Sequence, residues 1–290
     1  GLLGLYSREA RREASTGLGA RRAGAAAERC PQWRWYDSRL EPPMRDAFSI
    51  LFTVGVLAGL AWLLLGDPAR RLSGRWRDLD ALAFLRVDAG PAALAAGLLG
   101  ARLAYVITDW GYFASHLAEA FSFSGGGLSW DGGALGALIV LALYASLRRA
   151  PFWMLADALA FPAALLAAVS WAGCMLDGCS YGRTLPSGAA SVFASDFLDS
   201  RLARWPTQAV GLLSCFALAL GLLALEPRGV RPGLLACLTV VVLGLLGMAL
   251  SFTRGDPMSL LAGVRLDFVG AALVAALGLA GLLSLRRRKP

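Results

Sequence analysis

Seven stretches of this chain are apolar for long enough, or nearly so, to cross a bilayer as helices, which takes about 17–25 residues each. They run over roughly 47–66, 89–107, 131–148, 152–172, 208–225, 232–252 and 266–285. Peptide groups in lipid find no water, so a spanning segment must be a helix or part of a closed barrel. Extended alternation of apolar and polar residues is absent, which argues against a barrel. The sequence therefore predicts an all-α integral membrane protein with seven transmembrane helices and small extracytoplasmic loops. A mean hydropathy of +0.58 and 57% hydrophobic residues agree with this. Soluble domains are about 45–50% apolar.

The formal net charge is +8, and Lys289 is the one lysine among its positive residues. Because these charges sit between the apolar runs, the positive-inside rule explains them better than nucleic-acid binding does. One set of segments (67–88, 148–151, 226–231 and the C-terminus) carries Arg70, Arg71, Arg75, Arg77, Arg86, Arg148, Arg149, Arg228, Arg231 and Arg286 to Lys289. The opposite set has Arg183, Arg201, Arg204, Arg254 and Arg265. This asymmetry predicts an N-out, C-in domain over 47–286, ending in a basic cytoplasmic tail, 287–290.

Residues 1–46 hold nine arginines, small-residue clusters and no sustained apolar periodicity. They are expected to be a disordered tail or a misassigned start ahead of Met44. Counted on the outer side, their arginines would reverse the asymmetry; the pattern of the core is followed here. Five cysteines without paired Cys-x-x-Cys spacing suggest neither a zinc module nor a disulfide scaffold. No metal or cofactor is expected.

The stretch from Ser170 to Pro186 turns abruptly polar after an apolar run. Its glycines, Gly173, Gly178 and Gly182, space out Cys174, Asp177, Cys179, Tyr181 and Arg183. A Gly-interrupted membrane helix often marks a binding site; the alternative is an ordinary loop. Arg102 lies inside the second run. A charge there costs about 2.5–3.5 kcal/mol on insertion scales, so it should face a cavity or partner, or else snorkel outward. Arg254 and Asp256, after the sixth run, fall on the same side of the bilayer as the 170–186 stretch.

These residues resemble the prolipoprotein diacylglyceryl transferase family from about Phe48 to Leu285. Gly100-Ala-Arg-Leu-Ala-Tyr-Val106 is similar to the family's Gly-Ala-Arg-Leu-Gly-Tyr-Val. Gly126-Gly-Leu-Ser-Trp-Asp-Gly-Gly-Ala-Leu-Gly136 resembles its Gly-Gly-Met-Ser-Phe-His-Gly-Gly segment. The stretch Trp171 to Arg183 resembles the family signature. Arg204-Trp-Pro-Thr-Gln208 and Phe252-Thr-Arg-Gly-Asp256 resemble two further motifs. There are departures too. The signature's leading arginine falls on Trp171, the motif histidine on Asp131, a second arginine on Gly247 and a glutamate on Ser251. The Leu-Tyr-Glu expected after Gln208 reads Ala209-Val210-Gly211.

The resemblance implies transfer of diacylglyceryl from phosphatidylglycerol to the thiol of a prolipoprotein signal peptide, in the bacterial inner membrane. A thiol attacks as thiolate, and a departing phosphate needs preorganised cations, for which arginine's planar fork is suited. On that basis Asp131, Arg183 and Arg254 are the catalytic candidates. The phospholipid-binding candidates are Arg102, Tyr105, Gly173, Cys174, Asp177, Gly178, Tyr181, Gly182 and Arg204. Asp131 is also placed to N-cap the third span, the reading favoured on composition, and the tyrosines are placed to anchor at the interface.

Five residues of continuous helix would put Cys174 and Cys179 on different faces. Inert packing is therefore their default reading, with Gly178 leaving a disulfide open. Two rival readings are a non-catalytic lipid- or partner-binding homologue and a membrane thiol-redox protein. The arginine asymmetry makes a first prediction. A periplasm-active reporter fused after Pro290 should stay silent and a cytoplasm-active one should report; the reverse pattern overturns the orientation.

Overall fold

The structure, a computed structural model, describes residues 47–65, 79–122, 127–185, 191–194 and 202–287. Residues 1–46 and 288–290 lie outside the described residues, and with them the expected N-terminal tail and all of the expected C-terminal tail but Arg287, which ends the last helix. Among the described residues, seven helices are long and apolar enough to cross a membrane. They are α1 (Ala47–Leu65), α2 (Leu79–Thr108), α3 (Trp130–Leu147), α4 (Phe152–Asp177), α5 (Thr207–Leu225), α6 (Leu234–Ser251) and α7 (Leu266–Arg287). Large apolar side chains such as Ile50, Leu57, Leu99, Leu143, Leu213 and Leu277 are exposed along them. In a soluble protein such a surface would aggregate; here it is the lipid-facing wall.

Two helices differ in length from expectation. The second begins at Leu79 rather than near 89, passing through Pro91. Its first turns, Leu79 to Val87, are rich in Leu and Ala, strong helix formers that carry the helix beyond the apolar run. The fourth continues to Asp177, so Gly173 and Cys174 are helical rather than part of a broken segment. Gly173 serves packing instead. A Cβ there would sit 2.7 Å from the Cα of Phe48, so the start of α1 rests directly on the α4 backbone.

Helix α4 is central, packing against α1, α2, α3, α5 and α6, while α2 pairs with α3 and α6 with α7. The α2–α3 pair meets through glycines. A Cβ on Gly100 would lie 2.5 Å from the carbonyl oxygen of Gly132, and one on Gly136 2.5 Å from that of Ala96. Small residues let membrane helices approach until dispersion between backbones stabilises the pair.

Helix α4 also supplies an aspartate to the N-terminus of a neighbour at each of its own ends. Asp177 Oδ2 accepts the N–H of Phe48 (2.9 Å) at the start of α1. Asp157 accepts from Gly233 (2.6 Å) and Ala236 (2.9 Å) at the start of α6. Gly233 takes φ +93° there, a conformation that side-chain-bearing residues resist.

The alternation of seven helices brings the α2–α3, α4–α5 and α6–α7 connections to one end of the bundle. Replacing Gly136 with Ala should lower the melting temperature in detergent, since overpacking a tight contact costs about 1–3 kcal/mol. Gly111→Ala, where nothing lies within 4 Å, should leave it unchanged. Equal effects would overturn the backbone-contact account.

Candidate functional site

The α4–α5 connection supplies the centre of the site. At Gly178 the chain takes φ +73° and ends α4, and the N–H of Cys179 turns back to the Cys174 carbonyl (3.1 Å). That reversal brings the two cysteines to a Cα separation of 4.6 Å and joins them in a disulfide. The inert-packing reading is therefore corrected. The continuous-helix geometry behind it stops at Asp177, two residues short of Cys179.

Residues 181–185 then run as a short extended segment bonded on both sides. Arg183 donates its N–H to Thr253 O (2.8 Å), and Gly255 donates to Tyr181 O (2.9 Å). On the other side Trp205 donates to Arg183 O (3.0 Å), and Leu185 to Ala203 O (2.9 Å). The strand β2 (Leu202–Arg204) pairs antiparallel with β1 (Val192–Ala194), extending the platform. Gly182 is required by this closeness, because a Cβ would fall 1.9 Å from the Trp205 carbonyl oxygen.

Side chains of the Arg204–Gln208 segment fasten the platform to the helices. Buried Arg204 donates through Nη1 to Gly182 O (3.3 Å), with its guanidinium 4.5 Å from the Tyr181 ring centre. The Thr207 hydroxyl reaches Thr253 O (3.2 Å) and Oγ1 (3.0 Å). Gln208 Nε2 donates to Cys174 O (3.0 Å), which also accepts the Cys179 N–H, and to Cys179 O (2.5 Å), tying the end of α4 to the start of α5. Thr207 and Gln208 were not among the candidates read from sequence, although they belong to the Arg204-Trp-Pro-Thr-Gln208 motif.

The α6–α7 connection carries a charge cluster. Arg254 bonds Asp256 through Nε (2.8 Å) and Nη2 (2.5 Å) and lies 3.4 Å from Asp267. Arg265 bonds Asp267 through Nε and Nη2 (both 3.1 Å) and the Asp256 carbonyl through Nη1 (2.9 Å). Ser251 adds a hydrogen bond to Asp267 Oδ1 (2.8 Å). Burial works against the charge on Arg254. The hydrogen bond to Asp256 and the charges of Asp256, Asp267 and Asp131 overcome it and hold the guanidinium above its ordinary value. Two cations and two carboxylates cancel. Arg265 and Asp267 were not among the site candidates, though Arg254-x-Asp256 and Arg265-x-Asp267 repeat one spacing, the first before the hairpin β3 (Leu260–Leu261) and β4 (Val264–Arg265) and the second beginning at its last residue.

Asp131 enters from the first turn of α3. It is not the N-cap: Ser129 is, with its hydroxyl 3.5 Å from the N–H of Gly132. One residue into the helix, the Asp131 side chain points inward against α7, where a Cβ on Gly270 would lie 2.7 Å from its carboxyl atoms. It is 5% exposed, and Oδ1 has no hydrogen-bond partner among the described residues.

Arg102, also buried, donates to the carbonyls of Glu119 (2.5 Å), Ala120 (2.9 Å) and Gly127 (3.0 Å). It thus holds down the α2–α3 connection, and its guanidinium lies near the rings of Tyr105 (5.7 Å) and Phe113 (5.3 Å). In the same connection Asp109 accepts from Ser259 Oγ (3.2 Å) across to the α6–α7 segment. Burial raises the Asp109 pKa, and that hydrogen bond opposes the rise.

Of the four arginines assigned to a lipid phosphate, three hold protein groups: Arg102 and Arg204 bind carbonyls, and Arg254 binds carboxylates. Arg183 differs. Its backbone is locked in the platform, and its side chain is exposed without a partner among the described residues.

Fold and platform define a multi-pass membrane protein whose polar chemistry is gathered at one end of its helix bundle. A profile of prolipoprotein diacylglyceryl transferase matches residues 43–284, and the chain belongs to that family. It is similar to the phosphatidylglycerol–prolipoprotein diacylglyceryl transferases of Clostridioides difficile (28% identical; 49% of this chain, 54% of the relative) and Bacillus licheniformis (34%; 41% and 40%). That of Geobacillus kaustophilus is 33% identical over the same shares. The chain thus spans about half the length, or less, of the curated relatives it matches.

At the departures from the family, aromatic packing fills the space. The Trp171 ring occupies the place a Cβ on Gly211 would need, and the Trp130 indole lies 3.1 Å from a Cβ built on Gly247.

Removing one partner of a buried ion pair costs about 3–5 kcal/mol, whereas an exposed substitution stays within about 0.5 kcal/mol. Arg254→Ala should therefore lower thermal stability in detergent sharply, and Arg183→Ala should not. Equal melting temperatures would contradict the structural role given to Arg254.

Proposed function

We propose that this protein transfers the diacylglyceryl group of phosphatidylglycerol to the lipobox cysteine thiol of prolipoproteins. The bacterial inner membrane is its location, with the platform end facing outward. One observation carries the reading. Parts of three of the five segments that resemble family motifs, 181–183, 204–208 and 252–256, are hydrogen-bonded into a single platform with Arg183, uncommitted among the described residues, on its surface. The orientation is supported by Arg148, Arg149, Arg228, Arg231, Arg286 and Arg287 at the other end of the bundle.

In this reaction the peptide's sulfur forms a bond to the glyceryl carbon as the bond from that carbon to the phosphate oxygen breaks. Glycerol phosphate leaves with the electron pair, and the thiol proton passes to a base. Arg183 is suited to the phosphate, whose oxygens its fork can pair two at a time. Asp131 is the candidate base: a buried carboxylate with one oxygen unengaged among the described residues. The platform holds the Arg183 backbone still, which lowers the cost of ordering it at the moment of reaction.

Trp171 and Gly247 bring no charge to positions where the resemblance calls for arginine. Losing one preorganised donor at a reacting centre costs about 10²–10³-fold in rate, so transfer is expected to be slow. Purified protein in phosphatidylglycerol nanodiscs, given a lipobox peptide, should yield diacylglyceryl peptide slowly. Arg183→Ala should lower the rate at least about tenfold, and Asp131→Asn should abolish turnover with lipid binding retained. Phosphatidylglycerol bound without any transfer by the wild type would overturn the transferase reading in favour of a lipid-binding homologue.

A further inference from the structure

At the end of the bundle opposite the platform, α6 and α7 leave a groove of about 270 Å³ lined by Arg231, Leu234, Leu238, Leu282, Leu285 and Arg286. Its shape follows from sequence spacing. Leu234 and Leu238 are four apart on α6, and Leu282 and Leu285 three apart on α7, so each pair occupies one helix face. These four leucines are half-buried, while the two arginines are exposed. Leu285 packs beside Gly233 together with Trp153.

Arg231 belongs to the connection before α6, and Arg286 to the last turn of α7. Residues 55 positions apart in the chain are thus brought to the mouth of one apolar slot. Neither side chain has a partner among the described residues. Asp157 of α4 is turned to the N–H groups of Gly233 and Ala236.

We infer that this groove is a binding site for an anionic phospholipid, separate from the platform and independent of the reaction proposed there. The phosphate bridges Arg231 and Arg286, and the first part of one acyl chain lies along the four leucines. Charge and shape select this occupant. Two forked cations at a lipid–water boundary favour a phosphodiester, and the apolar floor favours a chain continuing from it. At about 270 Å³ the groove is smaller than most small-molecule pockets, about 300–1,000 Å³, which suits part of a lipid whose remainder stays in the bilayer. Such a lipid would tie the C-terminal end of α7 to the start of α6.

Native mass spectrometry of the full-length protein, titrated with phosphatidylglycerol or with phosphatidylcholine of the same chains, tests this. The double variant Arg231→Gln/Arg286→Gln should lose about thirtyfold in affinity for one phosphatidylglycerol, from about fivefold per arginine near a charged surface. Phosphatidylcholine should show no comparable loss. Arg148→Gln/Arg149→Gln, at the same end of the bundle but outside the groove, should change that affinity less than threefold. Leu238→Trp, which fills the slot and keeps both charges, should weaken the same binding event, whereas Arg183→Ala should spare it. An equal loss in the Arg148/Arg149 variant would mean diffuse charge attraction and overturn the site. Retained binding in both the arginine and tryptophan variants would do the same. Inorganic phosphate bound as tightly through the same two arginines would overturn the lipid assignment.

Discussion

The first turn of a helix leaves its N–H groups without partners, and hydrocarbon holds no water to satisfy them. Helix α4 meets this constraint for two of its neighbours. Asp177, at its end, takes the N–H of Phe48 at the start of α1, and Asp157, near its beginning, takes those of Gly233 and Ala236 at the start of α6. Each contact also sets the height at which a neighbour docks, because the aspartate reaches only the first turn. A capping side chain is worth about 0.5–2 kcal/mol in water. Both caps come from the helix that touches five of the other six. The disulfide and Gln208 fasten the same end of α4 to the platform, so the central helix and the polar end form one body.

Polar groups gathered at a membrane surface tend to neutralise one another, and this protein shows how far that goes. Arg254, Asp256, Arg265 and Asp267 form a closed set of two cations and two anions, steadied by Ser251. Such a set stabilises the hairpin between α6 and α7, yet it offers little net charge to an incoming phosphate. Arg102 and Arg204 are drawn to carbonyls, where an arginine fork can satisfy groups left over by loops. Among the described residues of the platform, the uncommitted arginine is therefore Arg183. Its position is firm because backbone bonds on both sides, rather than its own side chain, hold it.

Near Trp171 and Gly247, where the resemblance calls for arginine, the structure has indole packing. Trp171 is matched by Gly211 and Trp130 by Gly247, each large ring meeting a residue with no side chain. Burying an indole against a helix backbone needs no counter-ion and adds apolar contact. The substitutions are thus coherent with the packing around them. Their consequence lies in electrostatics, since an indole brings no charge to the space it fills.

Much of the fold was legible in the sequence, because membrane spans are set by composition over about 20 residues and need no knowledge of partners. The boundaries followed within a few residues, except where Leu79 to Val87 extended α2 and where α4 ran on to Asp177. The motifs pointed correctly to segments that meet, but the roles of their residues depended on what came to lie beside each one. Asp131 alone looked like a cap until Ser129 took that place and left it facing Gly270. The cysteines read by default as inert packing, with a disulfide left open by Gly178, and the left-handed turn at Gly178 is what joined them. Arg254 looked like a free cation until Asp256 and Asp267 closed on it. Sequence determined which segments enter the bilayer, since transfer free energy is local. Tertiary structure decided which charges remain available, since an arginine's commitment depends on acceptors brought from distant segments.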